Sequence, residues 1–277
     1  MRTVETRTGA TLPVLGQGTW EMGARRRERQ RDIAALQLGF DLGLTLVDTA
    51  EMYADGGAEE VVAAASRGRR DRLFLVTKVL PSNASRRGTM AAAEASLRRL
   101  QTDWIDLYLL HWEGSHPLED TLEAFALLQR QGKIRHYGVS NFDMDWMRAV
   151  EAVPEGAGVA VNQVFYNLHR RGIERNLLPW CVERGIAIMA YTPLDQGRLV
   201  RKRALVQVAQ RHGVSPSQIA IAWTLRLPGV VTIVKSATTE YVRENAAAAD
   251  MVLGAEDLRE LDDAFPCPDH DVPLETV

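Results

Sequence analysis

Residues 14–21 read VLGQGTWE. A short apolar run leads into two glycines one residue apart, and whether they open a dinucleotide-binding sheet decides the architecture. An open doubly wound sheet would carry G-x-G-x-x-G here, the third glycine letting helix and strand approach closely. That third position is Glu21, and no Walker pattern occurs anywhere in the chain. Further apolar runs follow at LTLVD (44–48), LFLVTK (73–78), IDLYLLH (105–111), IRHYGVS (134–140), VAVNQ (159–163), IAIMAY (186–191) and VVTIVK (230–235). With VLGQG (14–18) they make eight strand candidates separated by helical patterns. Eight β/α alternations in 277 residues fit a closed parallel barrel better than an open sheet. The expectation is an α/β chain forming one (β/α)8 TIM-barrel domain over residues 1–277. A short N-terminal β-hairpin, turned at Thr8-Gly9-Ala10, precedes the barrel, and extra C-terminal helices follow it.

The intervening segments carry helix limits. Met90, Ala93, Leu97 and Leu100 share one face, and Leu118, Leu122 and Phe125 another, with Pro117 before and Gly132 after. Ser215-Pro216-Ser217-Gln218 has the form of a capping box with proline at the first helical position, and Pro228 lies beyond that helix. Leu258, Leu261 and Phe265 give a last apolar face. The basic run RRRERQR (25–31) reads as the solvated start of a helix buried through Ile33, Leu36 and Phe40.

Composition narrows the function classes. Lys and Arg total 33 against 36 Asp and Glu, so no basic excess points to nucleic acid or an anionic membrane. Hydrophobic content of 46% and charged content of 25% are those of a soluble globular protein. Cys181 and Cys267 are the only cysteines, too few for a disulfide framework. The first residues lack an apolar h-region and no run is long enough to span a bilayer, so a cytoplasmic protein is expected. Metal-ligand spacing is absent around His111 and His116, and no nucleophile elbow occurs.

In a barrel of this kind reactive groups collect at the C-terminal ends of the strands. Asp48, Lys78 and His111 each terminate an apolar strand candidate, and Tyr53 lies in the loop after Asp48. Singly, each has a plain structural reading: a cap, a solvated strand end, a loop histidine, a packed ring. Together they allow carbonyl reduction, in which hydride addition leaves charge on oxygen and a proton donor must stand beside it. A lysine cation about 4 Å from a phenol contributes roughly 4 kcal/mol at an effective dielectric near 20, enough to lower its pKa. Tyr53 is the candidate acid, Lys78 its activator, Asp48 the anchor of the lysine, and His111 a hydrogen-bonding guide for the carbonyl oxygen.

The motifs DTAEMYADGGAEE, LVTK, DLYLLHW, GKIRHYGVSN, NQVFYN, AYTPL and KS…EN follow one another in the order of the aldo-keto reductases, which the chain resembles from GQGTW to LDDAFP. Within that family the GQGTWEMG opening, AEMYADGGAE and LLHWEGS are most similar to bacterial reductases of methylglyoxal and related aldehydes. The resemblance implies the tetrad Asp48, Tyr53, Lys78 and His111, and NADPH lying across the barrel mouth. It implies Ser140, Asn141 and Gln163 at the carboxamide, Tyr191 against the nicotinamide ring, and Leu194, Gln196 and Gly197 along the pyrophosphate. Lys235 and Ser236 would meet the adenosine 2′-phosphate, Glu244 and Asn245 the adenine, with Gly18, Thr19 and Trp20 flanking cofactor and substrate. The family's arginine, six residues after the lysine, is replaced by Tyr241, which leaves NADH open as an alternative.

Trp20, Leu80, Trp112 and a short C-terminal tail would border the substrate pocket, beside Tyr53 and His111. The expected partner is a small carbonyl compound met by a monomer: a short aldehyde or 2-oxoaldehyde. Sugars, keto acids and aromatic aldehydes are the alternatives within the same chemistry. A regulatory cofactor-binding protein similar to channel-associated relatives is the alternative outside it, although no N-terminal blocking segment is evident.

Overall fold

The computed structural model describes residues 1–276. Strands β1 (Thr3–Glu5) and β2 (Thr11–Pro13) pair antiparallel, with Val4 opposite Leu12. Their connection closes through Thr6, whose carbonyl accepts from Gly9 N (3.0 Å), and Gly9 supplies the positive φ of 78°. The barrel strands are β3 (Leu15–Gly18), β4 (Leu46–Asp48), β5 (Phe74–Val79), β6 (Ile105–Leu110), β7 (Ile134–Ser140), β8 (Val159–Phe165), β9 (Ala187–Tyr191) and β10 (Val230–Val234). All pair in parallel with their chain neighbours, and β10 returns to β3 to close the barrel.

The helices are α1 (Arg29–Asp41), α2 (Gly57–Ala65), α3 (Arg86–Leu100), α4 (Leu118–Arg130), α5 (Met144–Ala152) and α6 (Leu177–Glu183), one after each strand from β3 to β8. Two helices, α7 (Arg203–His212) and α8 (Pro216–Thr224), separate β9 from β10, and α9 (Thr239–Ala247) and α10 (Ala255–Ala264) follow. Expected stripes are buried as read: Ala93, Leu97 and Leu100 on α3, Leu118, Leu122 and Phe125 on α4. At α8 the expected capping box forms, with Gln218 Oε1 accepting from Ser215 N (3.0 Å) and Pro216 at the first helical position. Strand β8 runs two residues past the expected limit, because Phe165 still pairs with Tyr191 of β9.

Side-chain alternation along the strands sorts the apolar residues into two layers. Leu46, Val76, Leu107, Leu109, Val161, Met189 and Ile233 fill the barrel interior, which Ala10 and Leu12 of the hairpin close at the N-terminal end. Their neighbours Val47, Leu75, Tyr108 and Leu110 face outward into the layer beneath the helices. Burial on both faces explains why these strands read as continuous apolar runs instead of alternating ones. Gly138 on β7 is required by this packing, since a Cβ there would lie 2.4 Å from the Val161 carbonyl and 2.9 Å from Leu109 Cδ2.

Candidate active site

The same alternation places the polar residues. Two positions beyond Leu46, Val76, Leu109, Val161, Met189 and Ile233 stand Asp48, Lys78, His111, Gln163, Tyr191 and Lys235. Four strands, and the positions just past the ends of two more, thus carry a polar residue at the C-terminal mouth above the apolar plug. Strand termination on a polar residue was the signal available in the sequence, and parity gives it a direction.

Lys78 is the centre of the inner cluster. Its Nζ donates to Asp48 Oδ2 (2.8 Å), the Thr49 carbonyl (2.8 Å) and Tyr53 Oη (3.4 Å). Lys78 has no exposed surface and Asp48 has 1%. The second carboxylate oxygen of Asp48 accepts from Gln163 Nε2 (2.8 Å), and Thr19 Oγ1 donates to the Asp48 carbonyl (3.0 Å). Trp20 meets Tyr53 edge-on at 5.1 Å, His111 lies 5.9 Å from Tyr53 on another side, and Trp112 stacks on His111 at 3.9 Å. Leu80 follows the end of β5, and its N–H is held by Glu51 Oε1 (2.7 Å). Asp48, Tyr53, Lys78 and His111 are therefore neighbours, with Trp20 and Trp112 against the rings of Tyr53 and His111.

Burial disfavours charge on Lys78, but Asp48 and Tyr53 outweigh it and raise its pKa, so the side chain is an ammonium at neutral pH. For Tyr53 the balance differs. Burial raises the pKa of the phenol above the ordinary tyrosine value; Lys78 pulls it down without overcoming that effect. The net lowering expected from the sequence is therefore not met, because a charge-pair estimate omits the desolvation of a phenolate. His111 is held down to about 2, by burial first and Lys78 second, and is a neutral imidazole whose Nδ1 has no partner among the described residues.

Ser140, Asn141 and Gln163 form one hydrogen-bonded group at the ends of β7 and β8. Ser140 Oγ donates to the Gln163 carbonyl (2.9 Å), Asn141 Nδ2 to the His111 carbonyl (3.1 Å), and Tyr191 Oη to Asn141 Oδ1 (2.8 Å). The Tyr191 ring stacks on Phe165 at 5.4 Å. Beyond β9 the segment bearing Leu194, Gln196 and Gly197 is tightly curled, with positive φ at Thr192, Asp195, Gln196 and Gly197. Asn167 Nδ2 donates to the Thr192 carbonyl (2.9 Å) and His169 Nδ1 contacts Asp195 Oδ2 (2.9 Å), fastening that segment to the loop after β8.

Lys235 is exposed beside Gly18, where a Cβ would meet Lys235 Cβ at 3.6 Å. Ser236 Oγ accepts from Thr238 N (3.1 Å) at the entry to α9. On that helix Tyr241 is 57% exposed, Arg243 is exposed, Glu244 is half-buried and Asn245 is buried.

The C-terminal tail packs over the loop after β8. Glu275 pairs with Arg170 (3.3 Å), Asp271 with Arg175 (3.6 Å), and Val272 lies over Gly172. With Phe165 the tail lines a cavity of about 340 Å³ that includes none of Trp20, Tyr53, Leu80, His111 or Trp112. Both ion pairs join the tail to arginines after β8 and are solvent-exposed. Residues absent from the sequence reading include Glu51, which also accepts from Asn83 Nδ2 (3.0 Å), and Met189, whose sulfur contacts Gln163 Nε2 (3.0 Å). The position of Met189, two before Tyr191, was the available signal for an inward side chain. Among the described residues no group of His, Cys, Asp or Glu is arranged to hold a metal, and no helix is long and apolar enough to cross a membrane.

A methylglyoxal reductase of Escherichia coli is 48% identical to this chain, covering 96% of each. A glyoxal reductase of Bacillus subtilis is 34% identical, over 94% of this chain and 91% of its own length. The crystal structure of an aldo/keto reductase from Klebsiella pneumoniae in complex with NADP and acetate matches with a TM-score of 0.97 at 48% identity, covering 100% of this chain and 99% of that one. The aldo/keto reductase family model matches residues 14–265, and with a mouth built in this way on a closed eight-stranded barrel the chain belongs to the aldo/keto reductase family.

Proposed function

We propose that this chain reduces small aldehydes and 2-oxoaldehydes to alcohols, with NADPH as cofactor and Tyr53 as general acid. The observation that carries the reading is the fully buried Lys78 ammonium, 2.8 Å from Asp48 Oδ2 and 3.4 Å from the Tyr53 hydroxyl. The similarity to methylglyoxal and glyoxal reductases supports the substrate class.

The residues at the mouth fit a nicotinamide cofactor. Gln163 commits its amide N–H groups to Asp48 and Met189, and among the described residues no hydrogen bond reaches its Oε1, so an acceptor remains for a carboxamide. Ser140 and Asn141 stand beside it, and the Tyr191 ring is fixed by Asn141 and Phe165. Leu194, Gln196 and Gly197 would border the pyrophosphate, and Lys235, with no carboxylate partner among the described residues, would meet the 2′-phosphate together with Ser236. When bound, the reduced nicotinamide supplies a hydride to the carbonyl carbon.

Tyr53 gives its proton to the carbonyl oxygen as charge develops there. The phenol is protonated at neutral pH, as an ordinary tyrosine is, so the proton is present; burial raises its pKa further and makes the help of Lys78 in releasing that proton the more important. The phenolate left behind faces the Lys78 ammonium in a desolvated site, where their attraction is least screened. Asp48 keeps that ammonium charged and in place, while neutral His111 hydrogen-bonds the substrate oxygen. Trp20, Leu80 and Trp112 form the apolar walls, which suit a short substrate. All of these side chains come from one chain, so the reading needs no second copy.

The test is NADPH oxidation by the purified protein with methylglyoxal, glyoxal, benzaldehydes and aldoses. Turnover confined to aldoses or aromatic aldehydes would reject the substrate class. Tight NADPH binding without turnover on any carbonyl would point to a regulatory protein instead of an enzyme.

A further inference from the structure

The turn that presents Tyr53 adopts a backbone its residues do not favour. Ala54 and Asp55 both have φ of 52°, and Gly56 follows at 89°. Successive left-handed residues persist only where the surroundings impose them. Two neighbours press on it: the backbone at Gly23, against Gly57, and Arg99 of α3, since a Cβ on Gly56 would lie 2.5 Å from Arg99 Cδ and 2.7 Å from its Nε. The turn thus rests directly on the arginine side chain.

Arg99 is itself fixed from below. Its Nε donates to Glu59 Oε2, and its Nη2 donates to Ser96 Oγ (3.2 Å). Glu59, in the first turn of α2, has no exposed surface, and its other oxygen accepts from Thr77 Oγ1 (2.7 Å). Thr77 is the strand neighbour of Lys78 and points to the opposite face of β5. One strand therefore holds the ammonium on its inner side and, on its outer side, the anchor of a path Thr77–Glu59–Arg99–Gly56 that returns to the turn bearing Tyr53. Neither Glu59 nor Arg99 contacts the inner cluster.

We propose that the Glu59–Arg99 pair, hung from Thr77, is a positioning device that sets the Tyr53 hydroxyl over the Lys78 ammonium. This rests on Tyr53 being the acid. A buried ion pair is weak evidence for stability, since apolar residues of similar volume often replace one without loss. Holding a reacting group in register is a different service, and displacement by about 1 Å can cost about a hundredfold in rate.

Thr77→Val removes the anchor and leaves the pair intact; Glu59→Leu with Arg99→Met replaces the pair by apolar side chains. Both are expected to lower kcat on methylglyoxal, by about tenfold and about a hundredfold respectively, with the NADPH dissociation constant unchanged. Arg99→Lys, which keeps a cation beside Glu59, should retain most of the rate. In a Tyr53→Phe background Thr77→Val should change the residual rate little, whereas a merely structural role would lower it equally in both backgrounds. Wild-type kcat in folded Thr77→Val overturns the proposal, even if the double replacement fails to fold. Wild-type kcat in Tyr53→Phe overturns the acid reading itself, which separates the two failures.

Discussion

Two lysines mark the two ends of the proposed cleft, and they live in different media. Lys78 has no exposed surface and its ammonium faces three oxygens, two of them at 2.8 Å. Lys235 is exposed beside Gly18, and no carboxylate pairs with it among the described residues. The same functional group is thus desolvated at one end and exposed and screened at the other. Substitutions at the inner end should act on rate and stability together, and those at the outer end on ligand preference alone.

The largest effect should come from Tyr53→Phe. Loss of a positioned acid costs about 10²–10⁴-fold, and single-turnover reduction should fall by that range. NADPH affinity, followed by fluorescence titration, should stay close to wild type. Reduction at the wild-type rate would remove Tyr53 from the acid role and leave the inner end without its function.

Lys78→Met should come close behind in rate and exceed it in stability. It takes the cation from Asp48, a buried carboxylate that would retain only Gln163 as side-chain donor. Breaking a buried pair in this way costs ~3–5 kcal/mol, so melting curves must accompany the kinetics. A folded variant with unchanged turnover would mean that the ammonium serves the fold and not the phenol.

His111 sharpens the inner end through pH. Its pKa of about 2 lies far below the ordinary histidine value, by burial first and Lys78 second. Between the two values the unfolded chain binds one more proton than the folded one, so stability rises with pH in that window and is lost as pH falls. The slope approaches ~1.4 kcal/mol per pH unit for one proton. His111→Gln should flatten the loss between about pH 4 and 6.5. Equal slopes in variant and wild type would show that the imidazole can charge within the fold.

The contrast also explains what the sequence could tell. Strands buried on both faces left continuous apolar runs, so all eight barrel strands and the hairpin were legible, and parity beyond Leu46, Val76 and Leu109 fixes the directions of Asp48, Lys78 and His111. The sign of the Tyr53 shift was not legible, because desolvation is set by packing from distant segments. Glu59 and Glu60 are adjacent, yet one is buried and the other exposed; in the string AEE both look like a solvated face. The tail, too, meets arginines at 170 and 175 that sequence distance conceals.

The smallest effect lies at the outer end, where Tyr241 stands in place of the family's arginine. Lys235 would offer the 2′-phosphate one point charge, and Ser236 a neutral hydrogen bond. The Tyr241 ring is 57% exposed on α9 and could lie against adenine, but it brings no charge to a phosphate. A charge-assisted contact is worth about 1.5–3 kcal/mol before screening. Exposure argues for the lower end, about 1.5 kcal/mol, or roughly one decade. Tyr241→Arg is therefore expected to tighten NADPH binding about tenfold. NADH affinity should hold, since it has no phosphate for the guanidinium fork to grip. The gain should shrink as salt is raised, unlike the loss at Lys78, which has no exposed surface. Dissociation constants for both cofactors at two ionic strengths decide the matter. An unchanged NADPH/NADH ratio would mean that position 241 turns away from the phosphate, with the exposed Arg243 two residues on as its alternative ligand.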